Sequence, residues 1–269
     1  MHRRHPRQHV QQLLDGERQG SRRIHARLRV ATRMSGRMDA RSVLDLLDLT
    51  LLDHDATEAA LDALCERANA HRPAAVCVFS EHVPYVRSRL DDGIALAAVA
   101  GGFPIGSFDP EVISEAVRAA VEAGADEIDC VLEPHEAEGF PGEPELAMLI
   151  AMREASAGYT LKVIIETPLL EERRMRAAAR MALAAGADFV KSCTGRRGGC
   201  SDEAAGILAF EVRRYGVTMG HRRGVKLSGG IRTKEDVKRL LGLVHSEDST
   251  INGPARLRIG ASSLLDDLL

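Results

Sequence analysis

Only five of the 36 basic residues in this 269-residue chain are lysines: Lys162, Lys191, Lys226, Lys234 and Lys238. Arginine stays charged at any physiological pH, whereas a buried lysine can give up its proton and act as a nucleophile. Three of the five lie in short apolar runs: Lys162 in LKVIIE, Lys191 in DFVKS and Lys226 in GVKLSGG. Asp129 lies in a fourth such run, EIDCVL. Two ammonium groups in one partly desolvated site repel each other, and burial and repulsion both lower a lysine pKa. A neutral lysine attacks a carbonyl and forms a Schiff base. The iminium carbon is then the electron sink that C–C cleavage beside a carbonyl needs. An aspartate beside the pair can hold the second lysine and move protons, directly or through water. One strand-end lysine is as readily explained by snorkelling to solvent or pairing with a glutamate. Two of them with an aspartate, in a chain that otherwise uses arginine, point to a site.

Such residues need a scaffold that gathers strand ends. From about Leu44 onward, apolar runs alternate with helical spacing. The patterning predicts strands over 46–50, 74–79, 94–100, 127–132, 161–166, 189–192, 224–227 and 256–259. Thr57, Ser201 and Thr233 read as helix N-caps, and Asp109-Pro110 opens a helix in the Ncap–N1 manner. The helix after Ser201 is expected to run to about Arg214. Eight strands alternating with eight helices is the count of a (β/α)8 TIM barrel, in which catalytic groups sit at the C-terminal strand ends. A doubly wound open sheet is the alternative. The segments AGADEID (Ala123–Asp129) and AGADFVK (Ala185–Lys191) echo each other, each placing a helix-ending Gly before a tight turn and a strand.

The domain reading is a barrel over 41–269 preceded by a basic extension over 1–40, flexible or helical. Residues 1–41 carry eleven arginines against Asp15, Glu17 and Asp39, about +8. With a net charge of −3 overall, the rest is then about −11. The whole chain therefore offers no electrostatic case for nucleic acid, although the extension alone leaves RNA contact open. No apolar run reaches the roughly 18–20 residues of a membrane span. Cys65, Cys77, Cys130, Cys193 and Cys200 show no C-x-x-C or zinc spacing, and read as reduced thiols in a cytoplasmic protein.

Three glycine-rich turns follow the last strands: CTGRRGG (Cys193–Gly199), SGGIRT (Ser228–Thr233) and IGASS (Ile259–Ser263). Loops after barrel strands seven and eight commonly bind phosphate. Glycine lets backbone N–H groups approach closely, Ser262 and Ser263 add hydroxyls, and Arg196 and Arg232 add charge.

LDLTLL, AAVCVF, GFPIG, AGADEID, LKVIIET, AGADFVKSCTG, VKLSGGIRT and RIGASSLL, in this order from about residue 44 to the end, resemble deoxyribose-phosphate aldolases. The resemblance implies a class I aldolase on a TIM barrel, without metal or other cofactor. It implies reversible cleavage of 2-deoxy-D-ribose 5-phosphate to D-glyceraldehyde 3-phosphate and acetaldehyde, in deoxyribose phosphate catabolism. By the same resemblance Lys191 is the Schiff-base lysine, Lys226 the second lysine and Asp129 the proton-relay aspartate. Cys77, Lys162 and Asp48 match pocket positions, and Gly195, Gly229, Gly230, Gly260, Ser262 and Ser263 the phosphate cradle, to which Arg196 adds charge. The implied partners are a small sugar phosphate and an aldehyde. The sequence is silent on oligomeric state, and a homodimer or other homo-oligomer is expected only because it is the commonest arrangement. The chain departs from the family pattern after Lys191, where it reads Ser-Cys-Thr-Gly-Arg in place of Thr-Ser-Thr-Gly-Lys or similar. A related Schiff-base aldolase with another substrate would differ in the pocket between strands two and four, where Cys77, Phe103 and Leu132 are expected. A barrel that only senses a sugar phosphate would not need both lysines.

Overall fold

A computed structural model describes residues 39–269. Eight parallel strands close into a barrel in sequence order. They are β1 (Leu47–Leu51), β2 (Ala75–Phe79), β3 (Ala95–Ala100), β4 (Glu127–Val131), β5 (Thr160–Ile164), β6 (Phe189–Lys191), β7 (Gly224–Ser228) and β8 (Leu257–Ala261). The helices among the described residues are α1 (Ala40–Leu44), α2 (Glu58–His71), α3 (Val83–Arg87), α4 (Pro110–Glu122), α5 (Glu143–Ala155), α6 (Glu172–Ala184), α7 (Asp202–Met219), α8 (Lys234–Glu247) and α9 (Leu264–Leu268). Pairing of Leu47 with Ile259 joins β1 to β8 and excludes the open sheet. The basic extension falls outside the described residues up to 38. Asp39 already caps α1, whose Val43 and Leu44 are buried.

Alternation of period two divides each strand between two environments. Outward residues such as Val76, Ile128, Val163 and Leu227 join the large core beneath the helices. A second, smaller cluster of Cys77, Phe79, Ala97, Val99, Val131 and Ile164 fills the inside of the barrel on the β2–β5 side, with Phe103 over it.

The expected caps are present. Thr57 accepts from the Ala60 amide, Asp109 from Glu111 and Ser201 from Ala204, while Thr233 and Asp236 form a capping box. The AGAD echo has a structural cause. Gly124 (φ 107°) and Gly186 (φ 101°) adopt backbone closed to most L residues. The aspartate two residues on then ties its strand to the preceding one. Asp126 accepts from the Leu96 amide at 2.8 Å, and Asp188 from the Leu161 amide at 3.0 Å.

Most strand bounds fall within one residue of the sequence reading, and the following three elements differ by two or more. The helix after Ser201 runs past Arg214 to Met219, because Gly216 continues it and Gly220 (φ 72°) ends it. Strand β5 stops at Ile164, and two residues later Glu166 turns left-handed (φ 51°). Strand β8 is shifted to Leu257–Ala261, which carries Gly260 into the sheet opposite Asp48 and Ser228.

Candidate active site

The barrel register brings the three principal residues together. Lys191 and Lys226 are direct partners across β6 and β7, and Asp129 is the partner of Lys162 across β4 and β5. All four are almost fully buried inside the barrel. The ammonium groups of Lys191 and Lys226 each donate to the same oxygen, Asp129 Oδ2, at 2.7 Å. Lys162 donates to Asp129 Oδ1 at 3.0 Å. Lys226 Nζ also lies 2.5 Å from Asp48 Oδ2, and Lys162 Nζ 2.5 Å from Glu127 Oε2. Arg258 completes the cluster from β8, at 2.7 Å from Asp48 Oδ1 and 2.7 Å from Glu127 Oε1. Gly260 makes room for this arrangement. A Cβ there would stand 3.1 Å from Lys226 Cε and 3.0 Å from Ser228 Cβ.

The three lysines and Arg258 thus face three carboxylates, Asp48, Glu127 and Asp129. Burial by itself would push both aspartate carboxyls up. Lys162, Lys191 and Lys226 outweigh it at Asp129 and hold that group well below the ordinary 3.8. Lys162, Lys226 and Arg258 do the same at Asp48. The sequence reading had the paired ammonium groups lowering each other's pKa. For Lys226 the result is the reverse. Burial does lower it, but Asp129 and Asp48 more than compensate, and the group lies above its ordinary 10.5. Lys162 is raised further, by Asp129, Asp48 and Glu127 against the same burial.

These shifts fix a pH profile. A depressed carboxyl stabilises the fold above its unfolded pKa, and that contribution is lost as pH falls through the folded value. A raised lysine stabilises fully below its unfolded pKa, and that contribution is lost as pH rises through the folded value. The cluster's contribution is therefore expected to be level from roughly pH 4 to 10 and to fall on either side. Urea midpoints across a pH series measure it, and a midpoint that climbs on acidification below that window contradicts it.

Above the cluster opens a cavity of about 410 Å³, with Lys191 and Lys226 among its lining residues. The loops after β1, β6, β7 and β8 form the wall. Gly195, Arg196, Gly229, Gly230, Gly260, Ser262 and Ser263 all line it, as the turn motifs predict, together with Arg232. Gly195, Gly229 and Gly230 have φ of 75°, 93° and 76°, the left-handed region that favours glycine. Arg196 donates to the Leu52 carbonyl and so bridges the loops after β6 and β1. The departure after Lys191 has a local role. Cys193 Sγ donates to the Ser228 carbonyl at 2.8 Å, Ser192 Oγ donates to the same oxygen at 3.0 Å, and Ser228 Oγ donates to the Cys193 carbonyl at 2.6 Å. These bonds strap the exits of β6 and β7 together.

Asp129, Asp48 and Lys162 lie within the barrel and do not line this cavity. Cys77 also stands apart from it, in the inner apolar cluster with Phe103. Leu132 belongs to the outer core, so it does not share the expected pocket. Burial raises the Cys77 thiol, with Asp129 adding to the effect. Sequence reasoning missed Glu127 and Arg258. Their signal was present: each occupies an inward position two residues before one already singled out, Asp129 and Gly260. All five cysteines are free thiols. No helix among the described residues is long and apolar enough to cross a membrane.

The geometry fits what comparison with known proteins finds. A family model described as DeoC/LacD family aldolase matches residues 42–268. This chain belongs to that aldolase family. The aldolase is 36% identical over 200 residues to a deoxyribose-phosphate aldolase of Deinococcus radiodurans, covering 74% of this chain and 88% of that relative. It is 35% identical over 196 residues to deoxyribose-phosphate aldolase 2 of Staphylococcus aureus, covering 73% and 86%. A tetrameric deoxyribose phosphate aldolase from Aeropyrum pernix superposes on 90% of the aldolase and 94% of its own chain, at a TM-score of 0.70 and 26% identity. The chain is accordingly a carbon–carbon lyase built on a (β/α)8 barrel.

Proposed function

We propose that this aldolase reversibly cleaves 2-deoxy-D-ribose 5-phosphate to D-glyceraldehyde 3-phosphate and acetaldehyde, through a Schiff base on Lys191, in deoxyribose phosphate breakdown. The observation that carries the reading is the shared oxygen of Asp129, 2.7 Å from both Lys191 and Lys226, beneath a cavity walled by glycine turns and arginines. The curated relatives support the substrate.

In this mechanism the unprotonated Lys191 amine attacks C1 of the open-chain sugar, and loss of water gives the iminium. With all groups charged, the cluster holds one cation more than its carboxylates. Loss of one proton from Lys191 leaves it balanced, so the nucleophile is formed without stranding a buried charge. Lys226, whose neighbours keep it protonated, stays in place as the fixed cation. Asp129 then takes the proton of the C3 hydroxyl, directly or through water. The C2–C3 electron pair flows into the iminium and leaves the enamine of acetaldehyde. That step removes the positive charge on the Lys191 nitrogen. Lys191 is one of the cations that depress Asp129, so the carboxylate becomes more basic as it is asked to accept the proton. Protonation at C2 and hydrolysis of the imine release acetaldehyde and return Lys191. Lys162, Asp48 and Cys77 act from within the barrel, the first two by holding Asp129 and Lys226.

Trapping tests this reading. Borohydride added with 2-deoxy-D-ribose 5-phosphate should fix a reduced adduct on Lys191, located by mass spectrometry and missing from Lys191→Met. Folded protein that gives no substrate-dependent adduct refutes the mechanism. An adduct on Lys226 reverses the two lysine roles.

A further inference from the structure

A second ionic assembly stands outside the lysine cluster and ties together the exits of four consecutive strands. Arg197, past β6, holds Glu133 past β4 with a two-pronged pair, at 2.6 Å from Nη1 and 2.8 Å from Nη2. The same guanidinium reaches Glu166 past β5, from Nη2 at 3.1 Å and Nε at 3.3 Å. It also donates to the Pro104 carbonyl past β3 at 3.2 Å. Glu133 accepts the Gly106 amide at 2.9 Å in the same loop. Glu166 is fully buried and sits on a left-handed backbone. Its other contacts run to one residue. Thr194 donates its amide at 3.0 Å and its hydroxyl at 2.7 Å to the Glu166 carboxylate. Thr194 Oγ1 in turn accepts the Arg196 amide at 3.1 Å.

The consequence lies in the run Thr194–Arg196, which lines the cavity, whereas Arg197, Glu166 and Glu133 do not. Arg197 Nε and Nη2 both donate to Glu166 Oε2, and a buried carboxylate so paired is a rigid anchor, because breaking either partner strands the other. Glu166 therefore sets the turn that presents Gly195 and Arg196 to the cavity. We infer that Glu166 and Arg197, braced by Glu133, are positioning residues that set affinity for the phosphate end of the substrate without taking part in the chemistry at Lys191. This rests on the sugar-phosphate reading above and adds to it the residues that shape the phosphate side.

The test compares wild type with Glu166→Gln, Arg197→Met and Arg197→Lys in three measurements: inhibition by inorganic phosphate, KM and kcat for 2-deoxy-D-ribose 5-phosphate, and borohydride trapping of acetaldehyde on Lys191. Glu166→Gln keeps the shape of the anchor and turns an amide toward donors. Displacing a binding turn by about 1 Å costs as much as 10²-fold. Glu166→Gln and Arg197→Met are expected to weaken phosphate inhibition and raise KM by roughly 10- to 100-fold. In both, kcat and acetaldehyde trapping should change by less than about threefold. Arg197→Lys keeps the charge without the fork and should recover part of the loss. The inference is overturned if KM and phosphate inhibition stay at wild-type values. It is equally overturned if kcat and trapping fall as far as KM rises, since that marks a general loss of structure. Failure of the wild-type chain both to be inhibited by phosphate and to cleave the sugar phosphate defeats the parent reading, and shows before any substitution is made.

Discussion

Asp129→Asn is expected to lower turnover by about 10²- to 10⁴-fold, the range for removing a general base, and to destabilise the fold by about 3–5 kcal/mol, the range for breaking a buried charge pair. Asparagine keeps the size and one acceptor, so no cavity explains the loss. The charge does. Three lysines and Arg258 would face only Asp48 and Glu127, and Lys191 would lose its carboxylate partner altogether. The pH dependence separates this account from a packing defect. In the wild type Asp129 is the first of the charges that hold Lys226 above 10.5, against burial. Without it Lys226 keeps only Asp48 to oppose burial, its pKa drops, and the variant loses less stability with rising pH than the wild type does. The variant should therefore regain part of its loss above about pH 10, where the wild type begins to weaken. Urea midpoints at neutral and alkaline pH, with kcat from an acetaldehyde assay, measure both effects. A variant with wild-type turnover would remove Asp129 from the mechanism, and a loss that is constant with pH would remove the electrostatic explanation.

Lys226→Met is the second large expectation, and it differs in kind. It also removes a fully buried charge, with contacts of 2.7 Å to Asp129 and 2.5 Å to Asp48. Yet it leaves three cations against three carboxylates, and Met fills much of the lysine volume. Its cost in stability should be smaller than that of Asp129→Asn, about 1–3 kcal/mol. The activity loss should still reach about 10³-fold, because the balance now needs the Lys191 charge and opposes loss of its proton. Acetaldehyde trapping on Lys191 should then rise more steeply with pH than in the wild type. Equal trapping rates in the two proteins near neutrality would mean that Lys226 does not control the nucleophile. A stability loss exceeding that of Asp129→Asn would mean that counting charges misdescribes the cluster.

Much of this molecule is written in local pattern. Apolar runs, Asp109-Pro110, Thr57, Ser201, Thr233 and the AGAD connectors are short-range devices, so they locate strands and helices within a few residues. The glycine turns are legible for the same reason, since a left-handed backbone at Gly195, Gly229 and Gly230 is a property of the residue itself. The end of β5 is misplaced in that pattern because a distant group decides it. Glu166 leaves the strand because Thr194 and Arg197, 28 and 31 residues on, hold its carboxylate.

The sequence by itself determined the alternation of strands and helices, the two strand-borne lysines, the aspartate and the turns that wall the cavity, because each depends on residue type and spacing of a few positions. Only the tertiary structure decided how those charges pair. Closure of β8 onto β1 brings Arg258 and Glu127, 131 residues apart, onto one another and onto Asp48. Asp129 and Asp48, from the far strands β4 and β1, reverse the pKa shift expected of Lys226, since a buried charge takes its character from its neighbours across the barrel and not from its neighbours in the chain.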